Sequence, residues 1–144
     1  MKQKLGNLTV KAEIQGQETD TVQSLYDVVN RYECLKYEQK EHLYAVFLTN
    51  SNRFIADKLI GLGTSDSVEM DIQDVVRTAA VTNAGAALLV HNHTSGSSTA
   101  TAKDIETTRE ANEILEKINV ELLDHVIISK DSSYSMRRKN DGPF

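Results

Sequence analysis

The chain has 144 residues and a formal net charge of −5, and it is long enough for one domain that buries about 68–70% of the surface of its unfolded chain. Its acidic residues are scattered and its one basic cluster, Arg-Arg-Lys at 137–139, resembles a solvated tail, so we do not expect direct binding of nucleic acid, which normally requires a basic patch. No apolar run could span a bilayer, the N-terminus lacks the apolar core of a signal peptide, and the single cysteine, Cys34, cannot form an internal disulfide, which together predict a cytoplasmic protein without a membrane partner.

The first half of the chain carries both strand-like and helix-like hydrophobic patterns. Residues 8–14 alternate apolar and polar side chains, which predicts an edge strand. Apolar residues at helical spacing predict a helix over residues 20–32, with Thr19 or Asp20 as its N-cap. Two strands are predicted next, over residues 43–48 and 54–60, joined by a hairpin-like turn.

The second half of the chain continues with alternating helices and strands. Asp71 caps a predicted helix that begins at Ile72 and ends near residues 83–85. Residues 86–90 are an unbroken apolar run, which predicts a strand over residues 86–91 that is buried on both faces. A helix over residues 101–118, a strand over 123–129 and a short return strand over 133–136 complete the chain. The order β-α-β-β-α-β-α-β-β predicts an α/β fold with a mixed sheet and helices on both faces.

Three side chains that can ligate a metal lie at or after the end of this buried strand: His91, His93 and Asp104. Residues two apart in a strand point to the same side, so the two imidazoles should project together. Asp104, at the start of the next helix, can come back over the strand end. Two imidazoles and one carboxylate leave a fourth tetrahedral position open, which is typical of a catalytic zinc site. The pattern predicts one zinc ion bound by these three residues.

A simpler interpretation covers part of the motif. Thr101 and Asp104 fit the S/T-x-x-D capping box that opens many helices, and capping alone would explain both. It does not explain two parallel histidines immediately upstream, so the metal site is favoured. Asn92, which should point away from the histidines, and Ser95 would brace the histidines or the loop. His125 is expected to fill a structural hydrogen-bonding role in the sheet.

The motif resembles that of the JAB/MPN (JAMM) metallopeptidase domain: His-x-His, seven residues, a hydroxyl residue, two residues, then Asp. The segments LVHNHTSG at 89–96, DIETT at 104–108, LLDHVII at 122–128 and EHLYAVFL at 41–48 resemble the RadC branch of that family, and the resemblance spans about residues 20–136. It implies a three-layer α-β-α, cytidine-deaminase-like fold. We expect residues 1–144 to form a single RadC-like JAB/MPN domain, without the helix-hairpin-helix domain that family members often carry.

The resemblance also implies an activity. It implies a zinc-dependent hydrolase that cleaves a peptide or isopeptide bond in a peptide or protein substrate. Glu41 would then be the general base, and the hydroxyl of Thr101 would hold the developing oxyanion. The chain departs from the family at two positions, with Thr101 in place of a serine and Thr94 in place of a proline. Because a β-branched side chain has restricted rotamers, Thr101 bears on catalytic efficiency more than on metal binding.

Other functions remain open at this point. The main alternative is a catalytically weak JAB/MPN scaffold or binding domain, associated with DNA repair or mobile-element functions, because Thr101 and the altered loop would weaken turnover. The string His91-Asn-His93 suggests a nuclease, but the ββα-metal unit of HNH nucleases is missing from its surroundings. A zinc deaminase needs H-x-E and P-C-x-x-C motifs, which one cysteine cannot supply. Whether the chain forms a homodimer stays open.

Overall fold

The computed structural model describes residues 21–63 and 68–144, together with Gly6. In chain order the α-helices and strands in these ranges are α1 (Leu25–Arg31), β1 (Glu41–Leu48), β2 (Phe54–Gly63), α2 (Ile72–Thr82), β3 (Ala86–Asn92), α3 (Ala102–Lys117), β4 (Glu121–Ile128) and β5 (Ser133–Ser135). A 3-10 helix, Glu33–Tyr37, follows α1. Among the described residues, no helix is both long and apolar enough to cross a membrane.

The five strands form one mixed sheet in the order β2-β1-β3-β4-β5. β3 and β4 are parallel and are connected by α3, whereas the other neighbouring pairs are antiparallel. β3, at the centre, is buried along its whole length, as its unbroken apolar run predicts. The predicted α/β fold with a mixed sheet is therefore confirmed.

Helices cover both faces of this sheet. Phe47 and Leu89 belong to a core cluster that includes residues of α2 and α3, whereas Leu48 and Val90 belong to a second cluster with residues of α1. Successive strand residues point to opposite faces, so one strand supplies both clusters. Full burial of a leucine, valine or phenylalanine side chain stabilises the fold by about 1.5–3 kcal/mol, so the two clusters hold the three layers together.

The ends of three elements meet at one edge of the sheet. β1 is antiparallel to β3, with Leu43 opposite His91, so Glu41 at the start of β1 lies near the end of β3. α3 begins at Ala102 and carries Asp104 in its first turn. In open α/β sheets, ligands bind outside the carboxyl ends of the strands. The fold therefore collects the residues of the predicted site at the position where such folds bind ligands.

The first helix is shorter than the predicted residues 20–32, so that prediction is wrong at its start. α1 begins at Leu25, because the carboxylate of Asp27 accepts a hydrogen bond from the backbone N–H of Ser24 over 3.1 Å and so makes Ser24 the N-cap. Thr21 instead forms a β-bridge with the residue that precedes β2. The predicted N-cap residues Thr19 and Asp20 and the predicted strand over residues 8–14 lie outside the described residues. The remaining elements match their predicted bounds to within three residues at each end.

Candidate metal centre

Four buried side chains meet where β3 ends and where β1 and α3 begin: Glu41, His91, His93 and Asp104. Each is at most 7% exposed. Nε2 of His91 is 3.4 Å from Oε2 of Glu41, and Nδ1 of His91 is 3.2 Å from Oδ1 of Asp104. Nε2 of His93 is 2.9 Å from Oδ2 of Asp104. The structure thus brings together the three predicted ligands and the predicted base.

Two sets of three ligands are compatible with this cluster. The ligand atoms of Glu41, His91 and His93 all lie within 4.8 Å of one another. Asp104 is outside that compact set, although it contacts both imidazoles. Both sets share the two histidines and differ in the carboxylate. A metal ion could therefore be held with either Glu41 or Asp104 as the third ligand.

The surroundings of the His91 imidazole suit a cation, because a carboxylate lies near each of its two ring nitrogens. Its two nitrogens are buried, and neither has a hydrogen-bond partner among the described residues. Burial opposes the charging of this ring, but the carboxylates of Asp104 and Glu41 outweigh burial and raise the pKa of His91 to about 9. Because buried polar groups are normally satisfied, a proton or a metal ion is needed to complete the site. Imidazole and carboxylate are the donors that zinc binds, so the residues fit such a metal.

The loop after β3 fixes the orientation of His93. Its Nδ1 is 3.0 Å from the carbonyl oxygen of Ser97, and because a carbonyl only accepts, Nδ1 carries the proton of this bond. The backbone N–H of His93 donates to the carbonyl of Ile128 on β4 over 2.9 Å. Nε2 faces Asp104 and is the atom that this residue can offer to a metal. Metal-binding histidines usually donate their other ring N–H in this way.

Thr101 and Asp104 form the predicted capping box and also belong to the site. Oγ1 of Thr101 accepts from the N–H of Asp104 over 3.1 Å, and Oδ2 of Asp104 accepts from the N–H of Thr101 over 2.8 Å. Burial would raise the pKa of the Asp104 carboxyl, but the adjacent imidazoles of His91 and His93 and the hydrogen bond from the Thr101 N–H hold this pKa well below its usual range. Thr101 is exposed, and the cap does not use the proton of its hydroxyl. Capping and ligation are therefore compatible.

Asn92 and Ser95, the two residues predicted to brace the histidines or the loop, bond to different parts of the structure. Ser95 is exposed and its hydroxyl donates to the carbonyl of Ser97 over 3.4 Å, so it braces the loop. Asn92 follows Val90 on the face opposite to the histidines, as predicted. Its carboxamide bonds to the backbone of Lys40 and His42 on the β1 side, and not to the histidines or the loop. The sequence therefore places Asn92 on the correct face but does not identify its partner.

The ring of His125 lies 5.9 Å from the ring of His91 and bonds to α3, whereas the prediction placed its hydrogen-bonding role in the sheet. Oγ1 of Thr108 donates to the carbonyl of Asp104 over 2.6 Å and lies 2.6 Å from Nδ1 of His125. Since the hydroxyl has one proton, Nδ1 of His125 donates to Thr108. Burial, followed by repulsion from His91, lowers the pKa of His125 to about 3, so this ring is neutral. Sequence patterns give no signal for Thr108 beyond its position one helical turn after Asp104.

Serine hydroxyls tie the site loop to the turn between β4 and β5. Oγ of Ser132 is 2.7 Å from Oγ of Ser98 and 2.9 Å from Oγ of Ser129. The hydroxyl of Ser129 also donates to the carbonyl of Gly96 over 3.3 Å. These bonds anchor the loop although Thr94, and not a proline, follows His93.

Architecture and site together define an α/β domain with two histidines and two carboxylates buried at the edge of a mixed sheet. The family model described as RadC-like JAB domain matches residues 19–141, and the chain belongs to this family. The family indicated by the spacing of the histidines and Asp104 is thereby confirmed.

Several UPF0758 proteins are similar to this chain. One from Finegoldia magna is 36% identical over 98 residues, which are 68% of this chain and 44% of the relative. One from Coprothermobacter proteolyticus is 31% identical over 105 residues, 73% of this chain and 45% of the relative. One from Caldanaerobacter subterraneus is 33% identical over 123 residues, 85% of this chain and 53% of the relative. The chain spans about half the length of these curated relatives.

Proposed function

We propose that the protein is a zinc-dependent hydrolase of the JAMM type that cleaves a peptide or isopeptide bond. The observation that carries the proposal is the environment of His91. This imidazole is buried between Glu41 and Asp104, and its nitrogens have no hydrogen-bond partner among the described residues. A metal ion shared with His93 would satisfy the cluster. Membership of the JAB family supports the same chemistry.

In this proposal the ligands are His91, His93 and Asp104, and Glu41 stays free of the metal. Asp104 contacts both imidazoles, whereas the contact of Glu41 in the cluster is with His91. Three protein ligands and an open fourth position are typical of catalytic zinc. If Glu41 were a ligand, it would no longer be available for proton transfer.

The residues around the proposed zinc have separate tasks. Zinc bound here would lower the pKa of a water molecule to about 7 and polarise a scissile carbonyl. Glu41 accepts the proton of the attacking water and passes it to the nitrogen of the leaving amine. The hydroxyl of Thr101 donates to the developing oxyanion, a contribution that is typically about 10²–10³ in rate. Asp104 and His93 hold their orientation through the helix cap and through Ser97.

We further propose a peptide or protein substrate and a cytoplasmic location. The net charge of −5 gives little support for binding to nucleic acid phosphates. Cys34 is free and exposed, a state that a reducing compartment maintains.

A second candidate function is a catalytically weak scaffold or binding domain, associated with DNA repair or mobile-element functions. Thr101 favours it, because its oxygen is engaged in the helix cap and its β-branched side chain has restricted rotamers. This candidate predicts metal binding without turnover.

The experiment that tests the proposal is a cleavage assay of the zinc-loaded protein on a panel of peptide and isopeptide substrates. We expect turnover that a chelator abolishes and zinc restores. Glu41→Gln should retain zinc but lose turnover, because an amide cannot accept the proton. Glu38→Gln, a change at an exposed carboxylate three residues earlier, is the matched control and should keep the rate. Zinc binding without cleavage of any substrate, in the wild type and in Thr101→Ser, would instead support the scaffold.

A further inference from the structure

A side chain takes over the backbone pairing at the start of β1. β1 and β3 are paired in antiparallel register as far as Leu43 opposite His91. One residue further, the N–H of His42 donates to Oδ1 of Asn92 over 2.6 Å. Nδ2 of Asn92 donates to the carbonyl oxygen of Lys40 over 3.0 Å. The carboxamide of Asn92 therefore continues the ladder by one rung.

The backbone of β3 turns away from β1 at this point. The N–H of His93 donates to the carbonyl of Ile128 on β4, so the chain leaves β1 and enters the site loop. A carboxamide offers an acceptor and a donor, as a peptide group does. Asn92 is 1% exposed, so water does not compete for its two bonds.

The two bonds bracket Glu41. Lys40 and His42 are its chain neighbours, and both are bound to the carboxamide of Asn92. Glu41 itself is paired with β2 on the other side of the strand. The backbone around Glu41 is thus held on both sides, and its carboxylate lies 3.4 Å from His91.

We infer that Asn92 is a positioning residue for Glu41: its carboxamide fixes the first residues of β1 and so keeps the Glu41 carboxylate beside His91. The effect on turnover rests on the proposed function, whereas the clamp on β1 does not. Because the bonds of Asn92 go to β1, loss of its carboxamide should impair the base and spare the metal. This separates Asn92 from His91 and His93, its neighbours in sequence.

Amide hydrogen exchange tests the clamp without any substrate. Asn92→Leu has a similar volume but no hydrogen-bonding groups, so the amide of His42 should exchange about tenfold faster or more than in the wild type. Val46→Ala, at a buried position in the same strand, is the matched control for general destabilisation and should keep the protection of His42 relative to the rest of β1. Unchanged protection of His42 in Asn92→Leu, or an equal relative loss in Val46→Ala, would overturn the inference.

Zinc affinity and turnover test the consequence for Glu41. Asn92→Leu should bind zinc within about threefold of the wild type, since Asn92 does not bond to the histidines or to Asp104. Its turnover should fall about 10-fold to 100-fold, because a misplacement of 1 Å can cost about 10²-fold.

Each result has one meaning. A loss of zinc that matches the loss of turnover, or an unchanged turnover in zinc-loaded Asn92→Leu, would overturn the assignment of Asn92 to Glu41. If the zinc-loaded wild type cleaves no substrate, the proposed function fails, and the exchange of the His42 amide still decides the clamp.

Discussion

His91 lies between the carboxylates of Glu41 and Asp104, whose negative charges favour the protonated imidazole in the metal-free protein. The carboxylates of Asp104 and Glu41 outweigh the effect of burial and raise its pKa to about 9, above the model-peptide value of 6.5. A histidine must be neutral to ligate a metal, so the proton on His91 competes with the metal ion. Binding of the proposed metal at this residue would therefore release a proton.

We predict that the apparent zinc affinity rises about tenfold per pH unit between about pH 7 and 9 and levels off above that interval. The stability of the metal-free protein changes with pH in the opposite direction. The part of the stability that the raised pKa of His91 provides is complete below about pH 6.5 and is lost as the pH rises through about 9. Competition with a chelator at several pH values measures the affinity. Glu41→Gln removes one of the two carboxylates and should move the plateau to lower pH. A zinc affinity that is constant across this interval would contradict the account.

Thr101 combines a structural and a proposed catalytic task, and two substitutions separate them. Thr101→Ser should preserve or raise the rate, because it keeps the hydroxyl and rotates more freely. Thr101→Ala should lower the rate by about 10²–10³, the effect of one oxyanion donor. It also removes the N-cap bond to Asp104, which costs about 1 kcal/mol of stability. Thermal denaturation of both variants measures the cap separately, and an unchanged rate in Thr101→Ala would exclude the oxyanion role.

At the scale of elements, Thr108 joins α3 to β4 beneath the site. Its Oγ1 donates to the carbonyl of Asp104 and accepts from Nδ1 of His125. Thr108→Val keeps the shape but removes the partner of Nδ1 of His125. Because Nε2 has no partner among the described residues, both ring nitrogens would then be unpaired. We predict a loss of about 1–3 kcal/mol in the free energy of unfolding, measured by urea denaturation. Thr108→Ser keeps the hydroxyl and should lose clearly less, and equal losses in the two variants would exclude the hydrogen bonds as the cause.

The elements that the sequence predicts best are those whose signals are local. The apolar run of β3 and the caps Asp71 and Thr101 place three elements within a few residues of their observed bounds. The sequence does not predict the start of α1, because apolar spacing continues upstream of Ser24, whereas the bond from the N–H of Ser24 to Asp27 sets the first turn of the helix.

The residues of the candidate site are likewise predictable from the sequence where their signals are local. His91, His93 and Asp104 follow from strand alternation and the helix start, which are local features. Glu41 does not follow from local features, because Glu38 looks equivalent in the sequence. Only the register of β1 against β3 distinguishes Glu41, which is buried, from Glu38, which is exposed. The partners of Asn92 depend on the same long-range register.

At the scale of the whole molecule, the site exists only once the sheet has formed. Its residues come from β1, from the end of β3 and from α3, which meet through the antiparallel pairing of β1 with β3 and the crossover of α3 to β4. An ion that binds this arrangement and not the unfolded chain stabilises the fold by about 2.7 kcal/mol at a concentration of 100 Kd. Zinc should therefore raise the melting temperature, and loss of a ligand should remove this increase.

The central claim is that His91, His93 and Asp104 hold the metal while Glu41 remains free, and zinc titration of two variants tests it most directly. Glu41→Gln and Asp104→Asn each replace one carboxylate of the cluster by an amide of the same size. Above about pH 9, where the proton on His91 no longer competes in either protein, the account predicts that Glu41→Gln binds one zinc per chain with an affinity close to that of the wild type. Asp104→Asn should lose more affinity than the roughly 10-fold to 100-fold that removal of an outer partner costs, because it removes a ligand. Retention of zinc by Asp104→Asn together with its loss from Glu41→Gln would contradict the account and assign the metal to Glu41, His91 and His93.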